Sequence, residues 1–333
     1  MISTVRIPYF SAMLSLPQLG DLFESYRQSQ AFKGSVPELY APAQYLMDLG
    51  GKRIRPVCTL AAHQLFQDEV NMALPAALAI EVFHNFSLMH DDIMDESPLR
   101  RNQPTVHIRY DLNEAILSGD WMLVHTYELL SQYDSGIVMP MIMLMNATAR
   151  AVCEGQQRDI NFESTMQVTE SEYIEMIRDK TAVLLGAALQ MGGITAYASD
   201  GDLKLLYLAG LNAGISFQLM DDYLDAFGAI TGKIKGGDIL QNKKTLLFIQ
   251  CLRQANAYDR EELLNWYMSN EQSTDKVNRV LELFEKYQVG EYLKQLVSTY
   301  GRLSTDALDA IEVPESRKTN LRTLFADLLN RTK

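Results

Sequence analysis

Between Pro75 and Asp95 the sequence holds a largely apolar, helix-length run that closes on carboxylates. Its last part reads Phe83-His84-Asn85-Phe86-Ser87-Leu88-Met89-His90-Asp91-Asp92-Ile93-Met94-Asp95. On a helix, Asp91 and Asp95 stand one turn apart and share a face, and His84, seven residues before Asp91, falls on nearly the same stripe. A row of carboxylates on an apolar helix is unfavourable unless cations lie against it. One such cluster is commonly a solvated helix end. A second copy, Asp221-Asp222-Tyr223-Leu224-Asp225, turns the reading toward metal binding.

The rest of the pattern is helical. The spacing predicts helices over Pro37–Met47, Val57–Gln67, Asn113–Leu130, Val138–Arg158 and Asp202–Phe227. Another runs from a capping box at Thr169/Glu172 to about Met191, where Gly192-Gly193 closes it. Pro42 makes the start of the first uncertain, because a proline inside a helix removes a hydrogen bond. Leu99–His107 and Gly228–Lys244 read as loops. No strand-like alternation persists and no repeat appears. The residues of functional type run from Lys52 to Lys243 and must converge. That favours one all-α domain over residues 1–333.

A formal net charge of −12 argues against a nucleic-acid partner. It also means that an anionic ligand must be held by local cations or by metals. Cys58, Cys153 and Cys251 are isolated, and no pair has zinc-ligand spacing. A reducing, cytoplasmic setting is the expectation. No signal peptide is expected, and charges, glycines and polar residues interrupt the apolar runs before a membrane-spanning length.

Hard oxygen ligands at i and i+4 suit Mg²⁺, which keeps several waters and bridges protein carboxylates to phosphates. Two such rows facing each other across a cavity would hold a metal cluster with a diphosphate. Lys52, Arg55, Arg100, Arg101, Lys180, Lys233 and Lys243 lie at turns, helix ends or beside polar clusters. Each alone is ordinarily a surface charge. Together with two metal-type motifs they suit two diphosphates, one metal-bound and one held by Lys and Arg. Apolar or small residues precede the charged groups: Phe83, Phe86 and Ser87; Leu184, Ala187 and Met191; Gly214 and Phe217. They are either ordinary core or the lining of a slot for a hydrocarbon tail. A charged mouth over an apolar slot fits an allylic diphosphate that ionises to a carbocation in a dry pocket and is attacked by an alkene. No Ser-His-Asp or Cys-His arrangement offers a nucleophile.

These residues form an ordered series that resembles the trans-prenyltransferases, the polyprenyl diphosphate synthases. The series is Gly50-Gly51-Lys52-Arg53-Ile54-Arg55-Pro56, His84, Asp91-Asp92-x-x-Asp95, Arg100-Arg101 and Pro104-Thr105-Val106-His107. It continues with Gly155-Gln156-x-x-Asp159, Lys180-Thr181, Gln218-x-x-Asp221-Asp222-x-x-Asp225, Gly232-Lys233 and Lys243-Lys244-Thr245. The resemblance implies a helical bundle around a central cavity (the type I isoprenoid synthase fold), usually homodimeric. It implies an isopentenyl diphosphate site at Lys52, Arg55, His84 and Arg101. An allylic diphosphate site is implied at Arg100, Lys180, Thr181, Gln218, Lys233 and Lys243. Asp91 and Asp95 would bind two Mg²⁺ and Asp221 a third, supported by Asp225, with Asp92 and Asp222 set aside from the metals. Asn102 and Ala229 depart from the family pattern, where Gly and an acidic residue are common.

In relatives, bulky residues four and five positions before the first aspartate act as the cavity floor. Here these are Ser87 and Phe86. Phe86 blocks long tails and Ser87 leaves room, which favours a C20 product, geranylgeranyl diphosphate, over C15 farnesyl diphosphate. A terpene cyclase or a squalene-synthase-type enzyme is disfavoured by the intact second aspartate motif and the Lys52, Arg55, His84 set. A non-catalytic partner subunit is disfavoured by the completeness of both motifs. His63, His90, His107 and His125 read as packed or hydrogen-bonded side chains, and the Met139–Met145 run as core filling.

Overall fold

The computed structural model describes residues 13–228 and 236–329. The chain enters through α1 (Leu16–Ser29), α2 (Pro37–Asp48), α3 (Ile54–His63), α4 (Leu74–Met94), α5 (Val106–Arg109) and α6 (Leu112–Leu130). Then follow α7 (Val138–Glu163), α8 (Glu170–Ile177), α9 (Val183–Thr195), α10 (Asp200–Phe227) and α11 (Gly237–Leu240). The last helices are α12 (Leu246–Gln254), α13 (Ala257–Met268), α14 (Thr274–Lys286), α15 (Val289–Asp309) and α16 (Glu315–Leu329). The all-α expectation holds. Among the described residues, the only strand pairing is a two-residue ladder, Leu99–Arg100 against Gln103–Pro104. It turns the expected loop into a tight hairpin whose central residues, Arg101 and Asn102, have φ of 54° and 61°. Positive φ at both central positions is the type I′ form of a two-residue hairpin, and Asn enters that region readily.

The chain divides into two compact units. One comprises residues 1–146, 187–207 and 312–321. The other comprises residues 147–186, 208–311 and 322–333. In the first, α4 is buried along Leu74–Phe83, and α2, α3 and α6 pack on it. In the second, α12 and α14 carry the core, with Leu246, Phe248, Val280, Leu283 and Phe284 almost inaccessible beside Leu263 and Leu293. Phe248 stacks on Tyr267 at 4.1 Å.

Several element boundaries differ from the sequence reading, each for a tertiary reason. Pro42 lies inside α2, which starts at Pro37 regardless. Gly192-Gly193 does not close a helix but continues α9 to Thr195. A Cβ at Gly192 would meet the Thr59 carbonyl and the Ala62 side chain of α3, so the glycine permits close helix packing. The predicted continuous helix from Thr169 to Met191 is interrupted by a π turn at Arg178–Ala182. Within the predicted 228–244 loop sits the short helix α11. The expectation that no apolar run reaches a membrane-spanning length also needs correction. Val70–Met94 and Asp200–Phe227 pass on length and composition, but 67% and 44% of their apolar windows are buried inside the protein, as in core helices.

Candidate active site

The first aspartate motif occupies the last turn of α4. Asp91 is half-buried, Asp92 buried and Asp95 exposed at the C-cap. Carboxylates at a helix C-terminus face the negative end of the macrodipole, and like charges at i and i+4 repel. No basic residue stands in that last turn. Arg100, on the hairpin, takes Asp92 with Nε and Nη2 at 2.7 and 2.8 Å, a bidentate pair. Asp92 is thus neutralised by protein, while Asp91 and Asp95 stand one turn apart on the helix.

The predicted isopentenyl diphosphate residues gather beside α4. Arg55 Nη1 lies 3.2 Å from His84 Nε2. A guanidinium only donates, so Nε2 accepts and the proton sits on Nδ1. Burial and then Arg55, Arg101, Arg100 and Arg53 hold the His84 imidazole well below its ordinary range. Arg55 Nε is buried with no hydrogen-bond partner among the described residues, an orphaned cationic donor that an anion would satisfy. Arg101 donates to the Gly50 carbonyl. Gly50 and Gly51 have φ of 81° and 133°, and a Cβ at Gly51 would meet the Arg101 guanidinium. Lys52 follows on the same turn, exposed. Arg53, in the same basic cluster, serves the fold instead. It is buried, paired with Glu81 at 2.6 Å and Glu24 at 2.8 Å, and donates to the Met47 carbonyl.

The second motif ends α10, again with no basic residue in the last turn. Asp222 is buried. It accepts from the Tyr173 hydroxyl at 2.5 Å and from Gln218 Nε2 at 3.0 Å. The Thr181 hydroxyl donates to Gln218 Oε1 at 3.2 Å, which links three predicted residues in one chain of hydrogen bonds. Burial, then Asp238, pushes the Asp222 carboxyl up, with Tyr173 and Gln218 opposing. Lys180 reaches Asp159 at 2.5 Å, and Arg158 reaches Asp179 at the same distance. Lys180 and Thr181 sit on the π turn, the local form that most often marks functional positions in helices. A Cβ at Gly155 would meet the Lys180 backbone, so glycine is required where α7 passes the π turn.

Asp225 Oδ2 accepts from the Asp238 backbone N–H at 3.0 Å. Lys243 Nζ lies 3.8 Å from Asp238. Burial raises Asp238 to about 6, against the pull of Lys243 and with Asp225 and Asp221 adding to the rise. Lys233 lies outside the described residues. Sequence reasoning missed Tyr173 and Asp238. Nothing marks Tyr173 in the sequence, whereas Asp238 could have been found as an acid five residues before Lys243.

Phe86 is half-buried, 4.9 Å from the His90 ring at 68° and 5.5 Å from Phe83. The Ser87 hydroxyl turns back to the His84 carbonyl at 2.9 Å. Leu184, Ala187 and Met191 are almost fully buried, as core residues are.

The donor sets suit Mg²⁺: hard oxygens, in pairs, with no Cys or His ligand. Among the described residues no three acidic, His or Cys side chains converge into a protein-only metal cage.

Helix ends rich in carboxylates with cations beside them suit an anionic ligand carried with a hard divalent ion. The Polyprenyl synthetase family model matches residues 36–284. Geranylgeranyl diphosphate synthase of Methanosarcina mazei is 35% identical over 283 residues, 84% of this chain and 86% of that one. Geranylfarnesyl diphosphate synthase of Natronomonas pharaonis is 33% identical over 312 residues, 87% of this chain and 89% of its own. A crystal structure of a geranylgeranyl pyrophosphate synthase superposes with a TM-score of 0.91 at 37% identity, covering 96% of this chain and 100% of the other. The chain belongs to the polyprenyl synthetase family, and its class of chemistry is prenyl transfer.

Proposed function

We propose that the protein is a short-chain trans-prenyl diphosphate synthase that joins isopentenyl diphosphate head-to-tail to an allylic diphosphate, with geranylgeranyl diphosphate as main product. The observation that carries this is the placement of both aspartate motifs at helix C-termini without a basic residue in either last turn. Carboxylates one turn apart at such ends offer paired hard oxygens that suit a divalent cation. Asp91 and Asp95 hold Mg²⁺ from α4, and Asp221, supported by Asp225, holds it from α10, with three ions per active site. When bound, the metal neutralises the diphosphate and stabilises it as a leaving group. Lys180, Lys243, Arg100, Lys233, Thr181 and Gln218 bind and orient the allylic diphosphate. Lys52, Arg55, His84 and Arg101 hold isopentenyl diphosphate, with neutral His84 as a hydrogen-bonding wall and not an acid. The released diphosphate takes the proton, as the family resemblance implies. Phe86 ends the tail slot.

In this reading residues 1–333 act as one catalytic domain, the protein works in the cytoplasm, and it pairs as a homodimer. Supporting the last point, Leu117 and Val124 on α6 are 58% and 57% exposed and Met139 and Met143 on α7 are 56% and 65% exposed. An apolar set of this kind suits a second copy.

The test is incubation of the purified chain with isopentenyl diphosphate, each allylic starter and Mg²⁺, with products read by mass spectrometry. The expected product is C20. Chelation of the metal abolishes it, and Asp91→Asn or Asp221→Asn lowers the rate by roughly 10²-fold or more. No condensation with any starter would sink the proposal.

A further inference from the structure

Lys276, on α14, is 0% exposed. A buried ammonium is costly unless it is fully engaged. Its Nζ donates to Asn242 Oδ1 at 2.6 Å and to the Ser269 carbonyl at 3.1 Å. Asn242 Nδ2 donates to the same Ser269 carbonyl at 3.0 Å, so the three residues close a triangle. Burial lowers the Lys276 pKa, with Glu271 opposing.

Asn242 has φ 57°, in the left-handed region. Asn tolerates that region because its short amide can hydrogen-bond locally, and here both ends of the amide are held. The turn it makes ends α11. The Asn242 N–H donates to the Ile239 carbonyl at 3.1 Å, and the Lys243 N–H donates to the Asp238 carbonyl at 2.9 Å. Gln272 Nε2 adds a bond to the Leu240 carbonyl at 2.9 Å. At its other end α11 is tied to Asp225, whose side chain accepts from the Asp238 N–H and whose carbonyl accepts from the Gly236 N–H at 2.9 Å. A four-residue helix thus runs as a strut from Asp225 to Lys243, clamped at one end by a buried lysine.

We propose that Lys276 is a positioning residue: through Asn242 it fixes the left-handed turn that aims Lys243 and, by way of α11, seats Asp225. The inference rests on the assignment of Lys243 to the allylic diphosphate and of Asp225 to the metal site. Lys276 itself reaches Asn242 and the Ser269 carbonyl, and acts through them.

The test pairs two readouts on the full-length chain: hydrogen exchange at the 238–245 backbone, and KM for each substrate measured separately. Lys276→Met is expected to speed exchange of the Lys243 amide. It raises KM for the allylic diphosphate roughly 10- to 100-fold, the scale of a small misplacement of a binding group, and leaves KM for isopentenyl diphosphate unchanged. Asn242→Gly, which keeps the left-handed turn and removes only the amide, reproduces Lys276→Met and decides the matter if that variant does not fold. A merely structural lysine would lower kcat through loss of active protein and move neither KM. That result, or unchanged exchange in both disruptive variants, would overturn the inference. If the wild type condensed nothing, the functional reading would fail, and exchange alone would still decide whether the clamp holds Lys243.

Discussion

Arg100 grips Asp92 through two parallel hydrogen bonds, 2.7 and 2.8 Å long, one residue from Asp91. The pair sorts the three carboxylates of the first motif into two duties. Asp92 fastens the hairpin to the helix end, and in the proposed reading Asp91 and Asp95 are the carboxylates that meet the metal. Arg100→Met would leave Asp92 buried and uncompensated, at a cost of about 3 kcal/mol. Adding Asp92→Asn to that variant recovers part of the loss. Urea denaturation of the four proteins of the cycle measures the coupling, and strict additivity would count against the pairing.

Arg55 and His84 meet at 3.2 Å in a neighbourhood crowded with arginines, and Arg55 keeps an orphaned Nε. Arg55→Met therefore raises KM for isopentenyl diphosphate and leaves that for the allylic starter nearly unchanged. Because burial and its cationic neighbours depress His84, its protonation sets in only well below the ordinary imidazole range. The same KM stays flat as pH falls from about 7 to about 6. A rise in that interval with midpoint near the free-imidazole value would refute the neutral His84.

Phe86 does not stand alone. Its ring meets His90, and His90 Nε2 lies 3.3 Å from the Ile116 carbonyl on α6. Gly119 makes the room, since a Cβ there would meet the His90 ring. Phe86→Ala shifts the products from C20 to longer chains on mass spectrometry, and His90→Ala, which frees the Phe86 ring, shifts them partway. An unchanged distribution in Phe86→Ala would remove it as the floor.

His63 is buried on α3. Its Nε2 lies 2.9 Å from the Glu69 carbonyl, which can only accept, so Nε2 carries a proton, and Nδ1 lies 2.8 Å from the Thr195 hydroxyl, which also reaches the Gly192 carbonyl at 2.7 Å. Burial lowers its pKa from 6.5 to about 4. Between those values the unfolded chain binds a proton that the folded chain refuses, so stability falls as pH falls through the interval. At pH ~5 this group alone costs about 2 kcal/mol relative to neutral pH. Denaturation midpoints of wild type and His63→Gln at the two pH values check it. Equal pH dependence in both would contradict the assignment.

Much of this was readable before any coordinates. The two aspartate motifs, the Thr169/Glu172 capping box and the long apolar helices are local patterns, and local patterns survive folding. What escaped was decided by neighbours distant in sequence. Gly192 looks like a helix stop until Thr59 arrives above it. Tyr173 is an unremarkable helical tyrosine until Asp222 lies 2.5 Å away. Arg53 and Arg55 are indistinguishable in a basic pentapeptide. The fold gives one to Glu81 and leaves the other with an orphaned nitrogen.

The π turn at Arg178–Ala182 lets one helical rod run in two registers, α8 before it and α9 after it. A π turn is an α-helix with one residue to spare. Deleting that residue would leave the two flanking helices matched to the surfaces they already cover, and would swing Lys180 and Thr181 by about 100° relative to one of them. In the proposed reading, the pair assigned to the allylic diphosphate is therefore carried on the extra residue of the π turn. In that reading a one-residue deletion at the turn would separate the chemistry from the fold, costing the reaction while the helices on either side keep their registers.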